Sequence, residues 1–169
     1  MPKNAIIIIR EYDLSQAQRL IFAKEIFKSA KKRSDLKILI GKDLQLALAL
    51  KADGVHFSNH DKLPIQINKK NFPKNFIFSF ACHDVLALKI AKKIKADFAF
   101  LSPIFPTTSH DDAKIFNRFN FVKIAVENKK QSYFNPPLFA LGGVNKQNLK
   151  TLQKLGIKGF GAIDYFINL

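Results

Sequence analysis

Short apolar runs, each followed by a stretch with helical spacing, recur along this chain, and that alternation constrains its fold more than any other feature. Ala5 to Ile9 is continuous and β-branched, as a strand buried on both faces should be. Further strands are predicted at Lys37 to Ile40, Gly54 to Phe57, Phe76 to Ala81, Phe98 to Leu101, the run beginning at Leu138, and Gly159 to Ile163. Between them lie helices. Asp13 and Ser15 are cap candidates for one that carries Leu20, Ala23, Ile26, Phe27 and Ala30 on one side. Asp43 can cap Leu44 to Leu50. Asp84 can cap a helix through Lys95, with Ala87, Ile90, Ala91 and Ile94 inward. A helix is expected over about Phe119 to Lys129, and another from an Asn145 cap to Leu155, stopped by Gly156. Ser58 to Lys74 and Ser102 to Asn117 read mostly as loop.

A weak internal repeat fits this layout. Helix end, small or acidic residue, then strand recurs as Lys51-Ala52-Asp53-Gly54-Val55, Lys95-Ala96-Asp97-Phe98 and Leu155-Gly156-Ile157-Lys158-Gly159-Phe160. Strand and helix alternating through short connections mean parallel strands joined by right-handed crossovers. No G-x-G-x-x-G follows the first strand, so a dinucleotide-binding sheet is the weaker alternative. The expected class is α/β, a (β/α)8-type barrel in one domain spanning residues 1–169, with seven strands counted rather than eight.

Composition narrows the partners. No apolar run approaches the roughly 20 residues of a membrane span, and the N-terminus is too soon interrupted by Arg10-Glu11 for a signal peptide. The lone Cys82 cannot form an internal disulfide, which suits a reducing cytoplasm. The net charge is +15, but the basic pairs form no single block. A nucleic-acid patch is therefore disfavoured, and attraction of phosphorylated metabolites is the milder consequence.

The stretch Leu138 to Asp164 looks functional. Two strands end in glycine-rich turns, at Gly142-Gly143 and around Gly161, where backbone N–H groups can approach an anion closely. In a (β/α)8 barrel the loops after the last two strands commonly bind phosphate. The plainer alternative is that Gly142 and Gly143 only make a tight turn.

Three segments carry a resemblance. Leu101-Ser102-Pro103-Ile104-Phe105-Pro106-Thr107-Thr108-Ser109-His110 is similar to a G-P-x-F-x-T-x-T-K segment, and closer to its S-P-x-F-x-T-x-S-H variant. Ala140-Leu141-Gly142-Gly143-Val144 matches A-[IL]-G-G-[IV], and Ala52-Asp53-Gly54-Val55-His56 matches A-D-G-V-H. In this order and spacing the chain resembles the thiamine-phosphate synthase / TenI family from end to end, beginning at that family's second strand. The family joins hydroxymethylpyrimidine diphosphate to a thiazole phosphate and releases pyrophosphate. The resemblance implies that Thr107, Thr108, Ser109, Gly142 and Gly143 contact the thiazole phosphate, with Ile163 and Asp164 beside it. It places Arg10 near the diphosphate and Asp61 on one of two Mg2+-binding carboxylates.

The chain also departs from that pattern. Lys42 stands at the family's other Mg2+ carboxylate, and Gly41 at the asparagine before it. Ile8 and Tyr12 replace the glutamine and lysine flanking the arginine, Ala81 replaces a serine, and His110 replaces the lysine after T-x-T. The diphosphate and metal site thus reads as degenerate, with Mg2+ binding weakened by Lys42. TenI-type relatives lack synthase activity: one form of that alternative is a non-catalytic ligand-binding or regulatory pseudo-enzyme, and some relatives tautomerise a thiazole phosphate, which needs a proton shuttle and no metal. His56, His83 and His110 lie at or after strand C-termini and are candidates for that work. Each also has an ordinary reading, as a core residue, a helix-start residue and a loop residue respectively. Because the first strand and helix of relatives have no counterpart, the sequence predicts either a homodimer covering the gap or a flattened barrel.

Overall fold

The structure, a computed structural model, describes residues 3–58, 61, 67–105, 121–126 and 136–162. Seven parallel strands among these residues are ordered along the sheet as along the chain: β1 Ile6–Ile9, β2 Lys37–Gly41, β3 Gly54–Ser58, β4 Ile77–Cys82, β5 Phe98–Leu101, β6 Leu138–Leu141 and β7 Gly159–Gly161. Helices α1 Gln16–Ala30, α2 Leu44–Ala49 and α3 Val85–Lys93 fall between them. Residues 121–126 are helical (α4), and α5 is Leu149–Lys154. A single 3-10 turn, Lys69–Asn71, interrupts the long loop before β4. This is the expected α/β class with parallel strands of barrel type. No helix of the described residues is long and apolar enough to cross a membrane.

The chain divides into two compact units, Met1–Phe57 with Lys70–Phe78, and Ser58–Lys69 with Ser79–Leu169. In the first, β2 and β3 are buried, with Ile38, Leu39, Ile40, Val55 and Phe57 all at most 4% exposed. Phe57, Phe72, Phe76 and Phe78 interlock there, with ring centroids 5.1–5.9 Å apart. In the second, Phe98, Phe100 and Phe139 form a comparable cluster at 4.8–5.8 Å. Aromatic pairs in such geometries add about 0.5–1.5 kcal/mol each beyond the area they bury.

The sequence repeat has a physical cause. Each of α2, α3 and α5 ends on a residue in the left-handed region, Lys51 (φ 53°), Lys95 (φ 55°) and Gly156 (φ 79°). The next residue then reaches back: Ala52 N–H to Ala47 O at 2.9 Å, Ala96 to Ala91 at 2.9 Å, Ile157 to Leu152 at 3.2 Å. Lys51, Lys95 and Gly156 donate to Leu48, Lys92 and Gln153 at 3.0–3.1 Å. That paired pattern satisfies carbonyls left open at a helix end and turns the chain into the next strand. The starts are capped as well. Ser15 and Gln18 form a reciprocal capping box at α1, and Asp43 and Asp84 accept from Leu46 and Ala87 at 2.8 and 2.7 Å.

Three expectations need correction. β1 is not buried on both faces: Ile6 is 37% exposed and only Ile9 is buried, because β1 ends the sheet and pairs with β2 alone. Asn145 does not cap α5. Its Oδ1 accepts from Gln147 and Asn148 at 3.0 and 3.1 Å, closing a turn, and the helix begins only at Leu149. The inward stripe of α1 includes Arg19, 9% exposed, beside the expected Ala23.

Cys82, the last residue of β4, is fully buried, and burial together with the charge of Asp84 pushes its thiol up to about 12. It is therefore expected to resist iodoacetamide at pH 8 in the native protein and to react on unfolding in guanidinium. Stoichiometric native labelling would contradict this placement. The helix-end analysis yields an opposed pair of variants. Lys51→Gly relieves a left-handed lysine and is expected to stabilise by about 0.5–1 kcal/mol, raising Tm by about 1–4 °C. Gly54→Ala would drive its Cβ into the carbonyl of Ile77 and is expected to lower Tm by about 6 °C or more, or to prevent folding.

Candidate functional site

Each unit holds one candidate site at strand C-termini. In the first unit the chain leaves β1 at Arg10 and β2 at Gly41-Lys42. Lys42 is left-handed (φ 62°), and its N–H donates to His56 O at 2.8 Å. Asp43 N–H then returns to Gly41 O at 2.8 Å, so the backbone reverses sharply about Lys42. Tyr12 lies beside this reversal. A Cβ at Gly41 would come 2.6 Å from Tyr12 Oη and 3.1 Å from the Ile9 carbonyl oxygen, so a side chain here would displace the Tyr12 ring.

Tyr12 gathers three cations. Lys42 Nζ is 4.1 Å from the ring centroid, Arg10 Cζ 5.4 Å and Arg19 Cζ 5.6 Å. All are within cation–π range, worth about 0.5–1 kcal/mol at exposed positions and more where water is excluded. Arg19 supports the group from inside. One Nη donates to the Gly41 carbonyl, the other lies 3.8 Å from Asp43 Oδ2, and its buried Nε has no hydrogen-bond partner among the described residues. Sequence reasoning identified Arg10 and Lys42 but not Arg19. The available signal was its place four residues before Ala23, on the stripe that α1 buries.

In the second unit β5 and β6 pair with Leu101 opposite Ala140, which sets the segments leaving both strands side by side. They are then laced together: Ile104 N–H donates to Leu141 O at 3.1 Å and Phe105 N–H to Gly142 O at 3.2 Å. Gly142 and Gly143 are both left-handed, at φ 89° and 63°. A Cβ on Gly142 would meet Pro103 Cβ at 2.8 Å. The Gly143 carbonyl is taken by Asn148 Nδ2 at 2.9 Å, whereas its N–H donates to no group of the described residues. The next strand, β7, pairs Gly161 opposite Leu141. Two consecutive glycines in the left-handed region turn the chain sharply out of β6, a conformation that side chains disfavour. Thr107, Thr108, Ser109, Ile163 and Asp164 lie outside the described residues.

The histidines separate. His56 on β3 is buried at 4% exposure in the first unit. His83 belongs to the second unit and is exposed, with Nδ1 2.8 Å from the Ser102 carbonyl. A carbonyl only accepts, so Nδ1 carries the proton in this contact. His110 lies outside the described residues.

A resident Mg2+ does not fit the described side chains. Asp61 Oδ2 accepts from Ser58 N–H at 2.6 Å, and Asp43 divides its oxygens between the α2 cap and Arg19. Among the described residues no three His, Cys, Asp or Glu side chains group as metal ligands. Lys42 puts an ammonium where the resemblance would put a second carboxylate.

Comparison with known proteins identifies the family. The sequence profile described as thiamine monophosphate synthase matches residues 3–165. An Aquifex aeolicus protein, provisionally named thiamine-phosphate synthase 2, is 33% identical over 96% of this chain and 82% of its own length. The thiamine-phosphate synthase of Coprothermobacter proteolyticus is 29% identical over 85% of this chain, which spans 64% of that relative. Among solved structures, the thiamine phosphate pyrophosphorylase of Pyrococcus furiosus superposes with a TM-score of 0.73 at 26% identity, covering 94% of this chain and 72% of that one. With a profile match across residues 3–165 and a relative 33% identical over 96% of its length, this chain belongs to the thiamine monophosphate synthase family of thiamine biosynthesis.

Proposed function

We propose that residues 1–169 act as one thiamine-phosphate-synthase-like domain that binds a thiazole phosphate and couples it to hydroxymethylpyrimidine diphosphate with release of pyrophosphate. The observation that carries this reading is the lacing of Ile104 and Phe105 onto Leu141 and Gly142. It sets Phe105 beside the Gly142-Gly143 turn, and the resemblance implies that hydroxyls of the Thr107-Thr108-Ser109 segment join the turn's backbone amides on one phosphoryl group. Ile163 and Asp164, which follow β7, complete that pocket in this reading. Leaving pyrophosphate concentrates negative charge, and Arg10 with its neighbours supplies cations for it. The lone buried Cys82 accords with a cytoplasmic setting.

One observation favours a second reading, a TenI-type protein without synthase activity. The Ser102 carbonyl accepts from Nδ1 of His83 and holds that imidazole beside the loop leaving β5. Proton transfer on a bound thiazole phosphate would need that group and no diphosphate site.

Thiazole phosphate at about 100 times its Kd should stabilise the protein by about 2.7 kcal/mol, a rise in Tm of about 5–11 °C. Gly142→Ala, with its Cβ against Pro103 and a left-handed backbone, is expected to remove that shift while leaving a folded protein. No shift with the wild-type chain would contradict the phosphate pocket. Incubation with both precursors then separates the readings. Thiamine phosphate formation supports coupling, whereas isomerised thiazole alone, abolished by His83→Asn, supports the tautomerase.

A further inference from the structure

Parallel strands all begin on one edge of their sheet, the edge opposite their C-termini. In the first unit Lys37 N–H donates to Ala5 O at 3.0 Å, Asp53 N–H to Ile38 O at 2.9 Å and Ile77 N–H to Asp53 O at 2.8 Å. The segments entering β1, β2, β3 and β4 therefore stand in a row, about 4.8 Å from strand to strand. Those segments carry Lys3, Lys31, Lys32, Lys51 and Lys74, and Lys28 lies in the last turn of α1. All six are exposed. Along the sequence these residues form no single basic block; the fold assembles one.

The charge is not neutralised in place. Asp35 accepts from Arg33 Nε at 2.6 Å and Asp53 from Lys37 Nζ at 2.9 Å, so the carboxylates of the entering segments are taken. Among the described residues none of the six lysines enters a salt bridge. The strand spacing is about half the roughly 10 Å screening length of ordinary buffers, so the row repels itself. The dipole of α1 favours Lys28, Lys31 and Lys32 at its C-terminus, but not Lys3 or Lys74. Packing does not explain the ammonium at Lys51 either. Its left-handed turn (φ 53°) needs only what Gly156 supplies after α5 without strain.

We propose that this lysine edge is a second binding surface, which takes the phosphate backbone of double-stranded nucleic acid without regard to sequence. Ammonium groups on flexible stems meet phosphates as point charges and read no bases. The entering segments expose no aromatic side chain on which unpaired bases could stack, which favours a duplex over a single strand. Beside them only Ile6 is a large exposed apolar residue, too little to anchor the edge in a bilayer.

The test is fluorescence anisotropy of a labelled mixed-sequence DNA duplex titrated with the full chain at rising NaCl. Wild type is expected to bind, with log Kobs falling linearly against log salt at a slope of about −3 to −5. Lys31→Gln combined with Lys32→Gln should weaken binding and flatten that slope by about 2. Lys51→Gly should also weaken binding, flattening the slope by about 1, even though it is expected to raise Tm. That opposition separates lost contact from lost folding. Lys89→Gln combined with Lys123→Gln removes the same charge from exposed positions within α3 and α4, and should bind as wild type does. The proposal is overturned if wild type does not bind the duplex at about 50 mM salt. It is equally overturned if the Lys89 and Lys123 pair loses as much as the Lys31 and Lys32 pair, or if Lys51→Gly binds undiminished. Tighter binding to a single strand, or to phosphatidylglycerol vesicles, than to the duplex at equal salt would overturn it as well.

Discussion

Parallel pairing is the constraint from which the rest of the molecule follows. A parallel strand cannot return to its neighbour through a tight turn; it needs a crossover, here a helix where the described residues show one. Strands so joined end on the same edge of their sheet. The register Leu101 opposite Ala140, and Leu141 opposite Gly161, therefore decides that the segments after β5, β6 and β7 start side by side. Nothing in those segments has to find the others by chance. The two bonds from Ile104 and Phe105 to the β6 turn then convert adjacency into a fixed shape.

The same constraint sets the cost of each reversal. A helix that must feed a buried strand within two or three residues has to end abruptly, and the left-handed residues at 51, 95 and 156 do this. Only one of the three is a glycine. The two lysines accept backbone strain of about 1 kcal/mol each to keep the following alanines buried. Lys42 uses the same conformation after a strand instead of a helix, and the result is an aimed ammonium.

Much of the fold was legible in the sequence. The strands were found to within a residue or two wherever apolar runs were bounded by capping residues, and Asp43, Asp84 and Ser15 act as read. Ile6 to Ile9 misled because four isoleucines look the same in a central strand and at the end of a sheet; only the pairing partner distinguishes them. Asn145 misled because asparagine closes turns as readily as it caps helices. The Gly142-Gly143 turn was legible, since consecutive glycines after a buried run have few other uses. The Tyr12 cluster was legible only as scattered departures from a family pattern. Their connection is spatial: Gly41 makes room for a ring that carries Lys42. A buried arginine among apolar neighbours cannot be told from an exposed one by periodicity alone, which is why Arg19 escaped notice.

The central claim is that backbone amides at the end of β6 hold a phosphoryl group. With seven glycines in the chain, selective 15N-glycine labelling gives a spectrum simple enough to test it directly. On titration with thiazole phosphate, the Gly142 and Gly143 amide resonances are expected to move and saturate together while that of Gly54 stays in place. Saturating ligand that leaves Gly142 and Gly143 unmoved would contradict the claim.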